Sequence, residues 1–405
     1  MTGPTRRGKV TDKITKKTKD TSVMEKEASQ EKKGPPAKGP AKEDKGPRVK
    51  PSTIPMNRES QVHHVSAEPT EDATRQEKYK MTHRLKKLRL TNTKVKSGRL
   101  TSEIESAIDK FIDHAKEAGV EGVRKEFNSN KTYVPYDYIF EAFTKNKDKN
   151  RFPDVVCLDG TRVVLKCDYG NYIAADGDYV NANWIELEHV DRKYIAAQGP
   201  LPNTIEDFWR MVFQEGVSSI VMMCKFIENG QPKCAEYWPM KQGDYKNYGK
   251  MFINNKKEEK GGGEKFDTYT LEVLPDGCSN SIIVKLIHCT SWPDHGVPTS
   301  GRMILRMLKL VKDAPPGPVI VHCSAGIGRT GTILEIETII SRLFKGIQTS
   351  AKDVFIELRN SRASCIQTQA QYLFIYTTVL DYIKAKVPSK YASMVTKFYQ
   401  DLEKL

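Results

Sequence analysis

The stretch Gly317-Pro-Val-Ile-Val-His-Cys-Ser-Ala-Gly-Ile-Gly-Arg-Thr-Gly331 carries the fold prediction. It opens with the apolar run of a buried strand, continues through small residues, and ends where a helix is expected to begin, near Arg329. A small-residue loop between a strand and a helix can turn its backbone N–H groups inward and hold an anion at the helix N-terminus. The stretch therefore predicts a phosphate-binding loop within an α/β domain.

Two residues of this loop suit phosphate chemistry. Cys323 stands at its first position, where the field of a helix N-terminus favours the nucleophilic thiolate. Arg329 follows six residues later, and its planar guanidinium can hold two phosphate oxygens. A single cysteine is more often a buried packing residue. The Cys-x5-Arg spacing between an apolar strand and a helix favours the catalytic interpretation.

The rest of the chain supports a mixed α/β domain, because short β-rich runs alternate with helical patterns. The runs lie at 161–165, 194–197, 218–223 and 281–287, and the helical patterns at 204–213, 301–312, 332–344 and 369–385. A first helix is expected from Thr101, with Ser102 and Glu105 forming a capping box. The charged, glycine-rich segment 254–265 is typical of a solvent-exposed hairpin loop.

The charge of the chain is concentrated at its N-terminus. The first 100 residues carry 26 Lys and Arg against 12 Asp and Glu, a surplus equal to the net charge of +14 of all 405 residues. Residues 1–75 contain no aromatic side chain and cannot bury enough apolar surface to offset their ordering entropy. We therefore expect a basic, largely disordered extension at 1–100, a catalytic domain at 101–390 and a short C-terminal tail at 391–405.

The basic extension allows two interpretations. A disordered basic segment can bind an anionic membrane or nucleic acid weakly. Alternatively it is a solvated linker without a specific partner, which the lack of aromatic side chains for base stacking favours. The chain has no apolar run of membrane-spanning length, no secretory signal, and eight cysteines without a CxxC pair. These features indicate a cytoplasmic protein, or a nuclear one, with reduced thiols.

The segment 317–331 resembles the signature loop of the protein tyrosine phosphatase family. The resemblance covers roughly residues 125–383, with the motifs in the family's order. It is best for the classical, phosphotyrosine-specific, non-receptor members, and residues 149–165 also resemble the divergent single-domain members of nematodes. It implies a twisted mixed β-sheet flanked by helices that acts on phosphotyrosine-containing proteins. We expect a monomer.

The same resemblance assigns roles within the loop. Cys323 would form a cysteinyl phosphate, Arg329 would clamp the phosphate, and Thr330, where many members have serine, would help to expel the thiolate. His322 also matches its family position. The phosphate would be bound by the loop residues Ser324, Ala325, Gly326, Ile327 and Gly328. Arg329 and the backbone N–H groups meet the phosphate charge, so no cofactor or metal is implied.

A proton donor for the leaving phenol is expected outside the loop. Trp292-Pro-Asp294 resembles the family's mobile acid loop, and Asp294 lies 29 residues before Cys323, as in the family. An aspartate after proline is more often a turn residue. The spacing makes Asp294 the candidate general acid.

Three further segments resemble family elements around the active site. Lys149-Asn-Arg-Phe-Pro-Asp154 resembles the substrate-recognition loop, in which Phe152 replaces the usual tyrosine as the wall of a deep pocket and Asp154 holds the substrate backbone. Gln367-Thr-Gln-Ala-Gln371 resembles the glutamine loop, in which Gln367 and Gln371 position the hydrolytic water. Arg359 matches a buried arginine that orders the loops. Glu228 and Lys233 match positions that contact the signature loop and the acid loop.

Two other functions compete with an active tyrosine phosphatase. A catalytically dead phosphotyrosine-binding module would usually have lost the nucleophile, the arginine, the acid or the water-positioning glutamine, and all four are present here. A lipid or dual-specificity phosphatase shares the Cys-x5-Arg loop. However, a lipid enzyme would be expected to place lysines between Ser324 and Gly328, where this chain has none. Phe152 also indicates a pocket too deep for phosphoserine.

Overall fold

A computed structural model of the chain describes residues 100–166, 168–169, 172–173, 177–261, 266–293 and 296–404. The extension predicted at 1–100 lies outside the described residues except for Leu100, and Asp294 also lies outside them. All described residues fall in one compact unit, Thr93–Leu405. The predicted boundaries of the extension and the catalytic domain remain predictions.

The described residues include thirteen strands. They are β1 (Arg162–Val164), β2 (Asp168–Tyr169), β3 (Tyr172–Ile173), β4 (Tyr179–Ile185), β5 (Tyr194–Ala197), β6 (Ser219–Met222), β7 (Ile227–Glu228), β8 (Gln231–Pro232), β9 (Tyr245–Tyr248), β10 (Met251–Glu259), β11 (Phe266–Pro275), β12 (Ile282–Cys289) and β13 (Val319–His322). Nine of them form one sheet in the order β1-β4-β5-β13-β6-β12-β11-β10-β9. The central strands β5, β13, β6 and β12 run parallel. The outer strands pair antiparallel, and β2–β3 and β7–β8 form separate small hairpins.

Eight α-helices lie in the same described ranges. They are α1 (Ser102–Asn130), α2 (Glu141–Lys145), α3 (Ile205–Gln214), α4 (Arg302–Asp313), α5 (Gly328–Leu343), α6 (Ala351–Ser361), α7 (Gln369–Lys386) and α8 (Pro388–Leu402). None of these helices has the length and apolar character needed to cross a bilayer.

The sheet separates two apolar cores. Successive side chains of a strand point to opposite faces; in β13, Val319 and Val321 contribute to the larger core and Ile320 to the smaller one. The larger core is completed by α1 and α4 to α8, and the smaller by α3. This arrangement confirms the predicted α/β fold, a mixed β-sheet flanked by helices.

Most predicted elements agree with the structure to within one or two residues. The four predicted strands correspond to β1, β5, β6 and β12, and three predicted helices correspond to α3, α4 and α7. The helix predicted at 332–344 is α5, which begins at Gly328 directly after the loop. The predicted and observed bounds agree because each helix or strand was predicted from the spacing of apolar residues within its own segment, which does not depend on distant parts of the chain.

Two local predictions were wrong. Thr101, not Ser102, caps α1 by accepting the Ile104 N–H, and the Ser102 hydroxyl bonds Glu103 instead. Segment 254–265 is not a loop throughout. β10 continues to Glu259 and pairs with β11, so the first half of the predicted loop is part of a strand of the hairpin. The segment predicted as a short C-terminal tail, 391–405, is helical to Leu402 and packs on the larger core through Tyr391, Val395 and Phe398, and its boundary with the catalytic domain stays a prediction.

Candidate active site

Cys323 follows the last residue of β13 at the carboxyl edge of the parallel strands. Its side chain is only 5% exposed, and the Gly326 N–H donates to its Sγ at 3.2 Å. Gly326 has φ 72°, and a β-carbon there would lie 2.1 Å from the Ala197 carbonyl oxygen. The loop can therefore curl back over the sulfur only with glycine at this position.

The carbonyl groups of the loop are bonded away from the sulfur. Ser324 O accepts from the Gly199 N–H at 2.9 Å, and Ile327 O accepts from the Ile366 N–H at 3.1 Å. Arg362 donates to Ala325 O at 3.0 Å and to Gly326 O at 3.1 Å. Because N–H and C=O point in opposite directions in a trans peptide, the N–H groups of residues 325–328 are available on the side of Cys323. This is an anion cradle at the start of α5.

Arg329 lies in the first turn of α5 and is held by Glu228 of β7. Its two terminal nitrogens donate to the two carboxylate oxygens of Glu228 at 2.7 and 2.8 Å, and one also donates to Met223 O at 2.9 Å. Burial opposes its charge, but the hydrogen bonds and charge of Glu228 raise the pKa of Arg329 above its ordinary value. The guanidinium is therefore a fixed cation beside the cradle, and the predicted contact of Glu228 with the signature segment is made with Arg329.

His322 and Thr330 flank the loop inside the protein. The Nε2 of His322 lies 2.8 Å from the Tyr237 hydroxyl and its Nδ1 lies 3.2 Å from Cys323 O. Burial lowers the pKa of His322 to about 3, so the ring is neutral. The Thr330 hydroxyl is fully buried and has no hydrogen-bond partner among the described residues. Its predicted role toward the thiolate stays a prediction.

The predicted substrate-recognition loop is attached to the same backbone as the cradle. Arg151 donates through its side chain to Gly199 O at 3.0 Å and to Pro200 O, and through its N–H to Gln198. Gly199 in turn donates to Ser324 O. In the same segment Phe152 is half-buried and Asp154 is exposed, and their predicted roles toward substrate stay predictions.

The glutamine segment lies over Gly328, the last glycine of the cradle. A β-carbon on Gly328 would lie 2.4 Å from Oε1 of Gln367 and 2.9 Å from Nε2 of Gln371, so both amides stand directly over Gly328. The Gln367 N–H also donates to Oε1 of Gln371 at 2.8 Å. The structure therefore brings both predicted glutamines to the loop.

The predicted acid loop is described only in part. Trp292 is buried, donates through Nε1 to Gly296 O at 2.9 Å, and packs edge-on against Phe374. Asp294 lies outside the described residues, so its role and the predicted contact of Lys233 with this loop remain predictions.

Two buried arginines hold the site together, and sequence reasoning identified one of them. Arg359 donates to Cys365 O at 3.0 Å and Ile366 O at 3.1 Å, which agrees with its predicted role of ordering the loops. Arg362 was missed. It is fully buried and ties the cradle carbonyls to Asn183 of β4, with a 2.7 Å bond to the Asn183 amide oxygen. No local pattern marks Arg362, because its partners are 36, 37 and 179 residues away in sequence.

Within the described ranges, no cluster of three or more His, Cys, Asp or Glu side chains could hold a metal ion. The cysteines that the structure describes are free thiols. The polar groups gathered around Cys323 are the backbone cradle, Arg329 and the two glutamines. This set can bind a tetrahedral oxyanion beside a nucleophilic sulfur.

Comparison with known proteins finds tyrosine phosphatases that are similar to this chain in sequence. The sequence model of the protein-tyrosine phosphatase family matches residues 146–381. Receptor-type tyrosine-protein phosphatase eta of Mus musculus is 37% identical over 262 residues, which cover 61% of this chain and 20% of that relative. Tyrosine-protein phosphatase non-receptor type 18 of Mus musculus is 38% identical over 268 residues, 64% of this chain and 56% of the relative.

A nematode protein is similar to the same degree. Tyrosine-protein phosphatase Lar-like of Caenorhabditis elegans is 36% identical over 268 residues, which cover 65% of this chain and 12% of that relative. The chain thus spans less than two thirds of each of these relatives, and about a fifth of the eta proteins.

Proposed function

Because the chain belongs to the protein-tyrosine phosphatase family, we propose that it hydrolyses phosphotyrosine in proteins through a cysteinyl phosphate on Cys323. The observation that carries this proposal is the cradle around the sulfur. Four loop carbonyls are bonded outward, and the Gly326 N–H already points at Sγ. A phosphoryl group placed there meets several N–H donors without any rearrangement.

In the first step, the Cys323 thiolate attacks phosphorus in line with the tyrosyl oxygen. The S–P bond forms as the P–O bond to the phenol breaks, and Asp294 gives its proton to the leaving oxygen. The equatorial oxygens are held by the cradle and by Arg329. Glu228 fixes the guanidinium plane before substrate arrives, which lowers the reorganisation needed in the transition state.

In the second step, water attacks the cysteinyl phosphate. The amides of Gln367 and Gln371 orient the water, and Asp294, now a carboxylate, accepts its proton. The S–P bond breaks, Cys323 leaves as a thiolate with the help of the Thr330 hydroxyl, and inorganic phosphate is released. The position of both glutamines over Gly328 supports this role.

Phosphotyrosine proteins are the substrates that the site fits best. Phe152 supplies an aromatic wall next to the cradle, and its apolar ring retains the stacking surface of tyrosine without the hydroxyl. Ser324 to Gly328 contain no lysine for additional phosphates of a lipid headgroup. These features support phosphotyrosine over phosphoinositide.

We also propose that the chain is of the non-receptor type, monomeric and cytoplasmic. The non-receptor type 18 and type 20 proteins of Mus musculus are among the relatives of the chain, at 38% and 32% identity. The resemblance to nematode single-domain members stays a prediction. Weak electrostatic binding of the basic extension to anionic membrane or nucleic acid is tested by the salt dependence of binding with and without residues 1–75.

Asp294→Ala separates an active enzyme from a binding module. Loss of the acid should lower turnover on a phosphotyrosyl peptide by about 10²–10⁴-fold, because the leaving phenolate then departs unprotonated. The defect should be smaller on an activated aryl phosphate. Affinity for the peptide should survive, because Cys323 and Arg329 still bind the phosphate.

The matched control is Asp276→Ala, an exposed aspartate in the turn after β11. It should behave as wild type on both substrates. Equal losses for Asp294→Ala on both substrates would remove Asp294 from the acid role. Absence of wild-type turnover on either substrate would favour the binding module.

A further inference from the structure

The residues directly before Gln367 have an unusual backbone conformation. Ile366 has φ 61° and Ser364 has φ 63°, so two of the three residues before the glutamine lie in the left-handed region. This region is uncommon for residues other than glycine, and a β-branched residue there is a genuine outlier. Such strain persists only where surrounding contacts hold it, and it is frequent at functional sites. The contacts that hold Ile366 therefore bear on its function.

Hydrogen bonds hold the backbone of Ile366 on both sides. Its N–H donates to the cradle carbonyl of Ile327 at 3.1 Å. Its carbonyl accepts from the Arg359 guanidinium at 3.1 Å, and the carbonyl of Cys365 accepts from the same guanidinium at 3.0 Å. These bonds tie the turn at Ile366 to the cradle on one side and to α6 on the other.

The side chain of Ile366 is anchored as well. It has no solvent exposure and belongs to the larger core. A β-carbon on Gly331, near the start of α5, would lie 3.1 Å from Cγ1 of Ile366 and 3.0 Å from its backbone nitrogen. The isoleucine thus packs into the space that a side chain at position 331 would need. Moving the turn at Ile366 would expose apolar surface or leave a cavity, and both are unfavourable.

The conformation of Ile366 decides where Gln367 lies. The Ile366 N–H is bonded to the cradle, so its φ and ψ set the direction in which the chain continues. In the left-handed turn, Oε1 of Gln367 stands over Gly328, and the Gln367 N–H donates to Oε1 of Gln371 at 2.8 Å. A change of φ at Ile366 to the negative range that most residues adopt would turn the glutamine away from this position.

We propose that Ile366 is a positioning residue for the hydrolytic water: its buried side chain and its hydrogen bonds hold a left-handed turn that places the Gln367 amide over the cradle. The inference rests on the proposed function, because Gln367 acts there in the second step. Hydrolysis of the cysteinyl phosphate should therefore depend on the backbone conformation at residue 366. Its formation, which uses Cys323, Arg329 and the cradle, should not.

The test is pre-steady-state kinetics on an activated aryl phosphate. The burst of phenol release gives the rate of phosphorylation, the later steady rate gives hydrolysis, and acid quenching gives the fraction of enzyme held as cysteinyl phosphate. Wild type is compared with Ile366→Ala and Ile366→Gly. Alanine loses the anchoring side chain and still disfavours the left-handed region, whereas glycine loses the side chain but adopts that region readily.

The two Ile366 variants should differ in hydrolysis. Ile366→Ala should slow hydrolysis by at least about tenfold and raise the fraction of cysteinyl phosphate, while phosphorylation stays within about threefold of wild type. Ile366→Gly should hydrolyse the intermediate at least about fivefold faster than Ile366→Ala, although it removes more of the side chain. A residue that only fills the core would give the opposite order, because glycine leaves the larger cavity and the more flexible backbone.

Ile383→Ala is the matched control. Ile383 is a fully buried isoleucine of the same core, near the far end of α7. Its replacement should lower stability in urea but leave both rates within about threefold of wild type. Gly331→Ala keeps Ile366 and adds a methyl group against it, and this variant should fold because alanine favours a helix. It should slow hydrolysis at least about threefold more than phosphorylation, even if Ile366→Ala does not fold.

Three results would overturn the proposal. They are hydrolysis by Ile366→Gly that is no faster than by Ile366→Ala, an equal loss of phosphorylation and hydrolysis in the Ile366 and Gly331 variants, and the same selective loss of hydrolysis in Ile383→Ala. Absence of aryl phosphate turnover by wild type would instead refute the proposed function.

Discussion

Replacing Arg362 by methionine tests whether the cradle depends on a residue remote from the chemistry. Arg362 is fully buried and donates to Gly326 O, Ala325 O and the side chain of Asn183. Methionine retains much of the volume of the aliphatic stem, so little cavity is left. The main effect of Arg362→Met is that three buried acceptors lose their donor.

The magnitude follows from these contacts. A buried acceptor left without a partner costs about 1–3 kcal/mol, so three acceptors should lower the free energy of unfolding by at least about 3 kcal/mol. The carbonyls of Ala325 and Gly326 share their peptides with the N–H groups of Gly326 and Ile327. If these peptides rotate, the cradle loses donors, and losing one oxyanion donor typically costs about 10²–10³ in kcat. We expect kcat to fall by at least about 10²-fold.

Arg342→Met is the control for this substitution. Arg342 is also a buried arginine of the fold, held by Glu357 at 2.9 and 2.6 Å and by Glu188 O at 3.0 Å, but it lies at the far end of α5. Urea unfolding gives the loss of stability for both variants, and turnover of an aryl phosphate is measured where both are folded. Arg342→Met should lose stability while its kcat stays within about twofold of wild type. If folded Arg362→Met keeps kcat within about tenfold of Arg342→Met, Arg362 does not hold the cradle.

Three further predictions follow from the site and its surroundings. Cys323→Ser should keep the fold and abolish phosphate release, since the cradle cannot ionise a serine hydroxyl; release above the level of a mock purification would contradict the nucleophile. Arg329→Lys should be nearly as inactive as Arg329→Ala, because a point charge cannot replace a bidentate fork. A variant that retains more than about a tenth of the wild-type rate, a barrier increase under about 1.4 kcal/mol, would show that Arg329 is not the clamp. Because burial raises the pKa of Glu335 in the folded state, its contribution to stability is fully present below its unfolded pKa and is lost as pH rises above it. In wild type this loss lowers the free energy of unfolding by up to about 1.4 kcal/mol per pH unit, and Glu335→Leu should remove it. The free energy of unfolding is measured by urea unfolding near pH 5 and pH 7. An equal change between these two pH values in both proteins would contradict the prediction.

Most residues of the candidate site could be predicted from the sequence, because they lie in short motifs of neighbouring residues. The strand, the small-residue loop and the helix start lie within the fifteen residues Gly317–Gly331, and each follows from apolar periodicity and small side chains over a few positions. The glutamines were predictable in the same way, because Gln367 and Gln371 lie four residues apart at a helix start. What these patterns could not provide is that the two amides stand over Gly328, which is a contact across about forty residues of chain.

Local charge was misleading in one segment. The charged run after Asn254 looks like a loop, yet β10 continues through it because Asn255 is fully buried, with its amide donating to Pro239 O. Lys256 forms an ion pair with Glu272 of β11, with 3.2 Å between its Nζ and a carboxylate oxygen. The four charged residues that follow, Lys256 to Glu259, are exposed or half-buried, and the strand register shifts between Asn255 and Lys257, so this end of β10 faces solvent while still pairing with β11. The pairing partner β11 decides the structure here, and it begins beyond the segment.

Patterns of neighbouring residues in the sequence were sufficient to predict the α/β class and the position of most helices and strands, and they are the basis for proposing Cys323 as nucleophile and Arg329 as clamp. Only the tertiary structure revealed that Arg362 donates to the cradle carbonyls, that Glu228 holds Arg329 through two hydrogen bonds, and that Glu335 is fully buried. An arginine or glutamate carries the same local pattern whether it faces water or the core. Its role depends on which carbonyl or opposite charge the fold brings within hydrogen-bonding or Coulomb range, and those partners come from distant segments that meet only after the sheet and helices have packed.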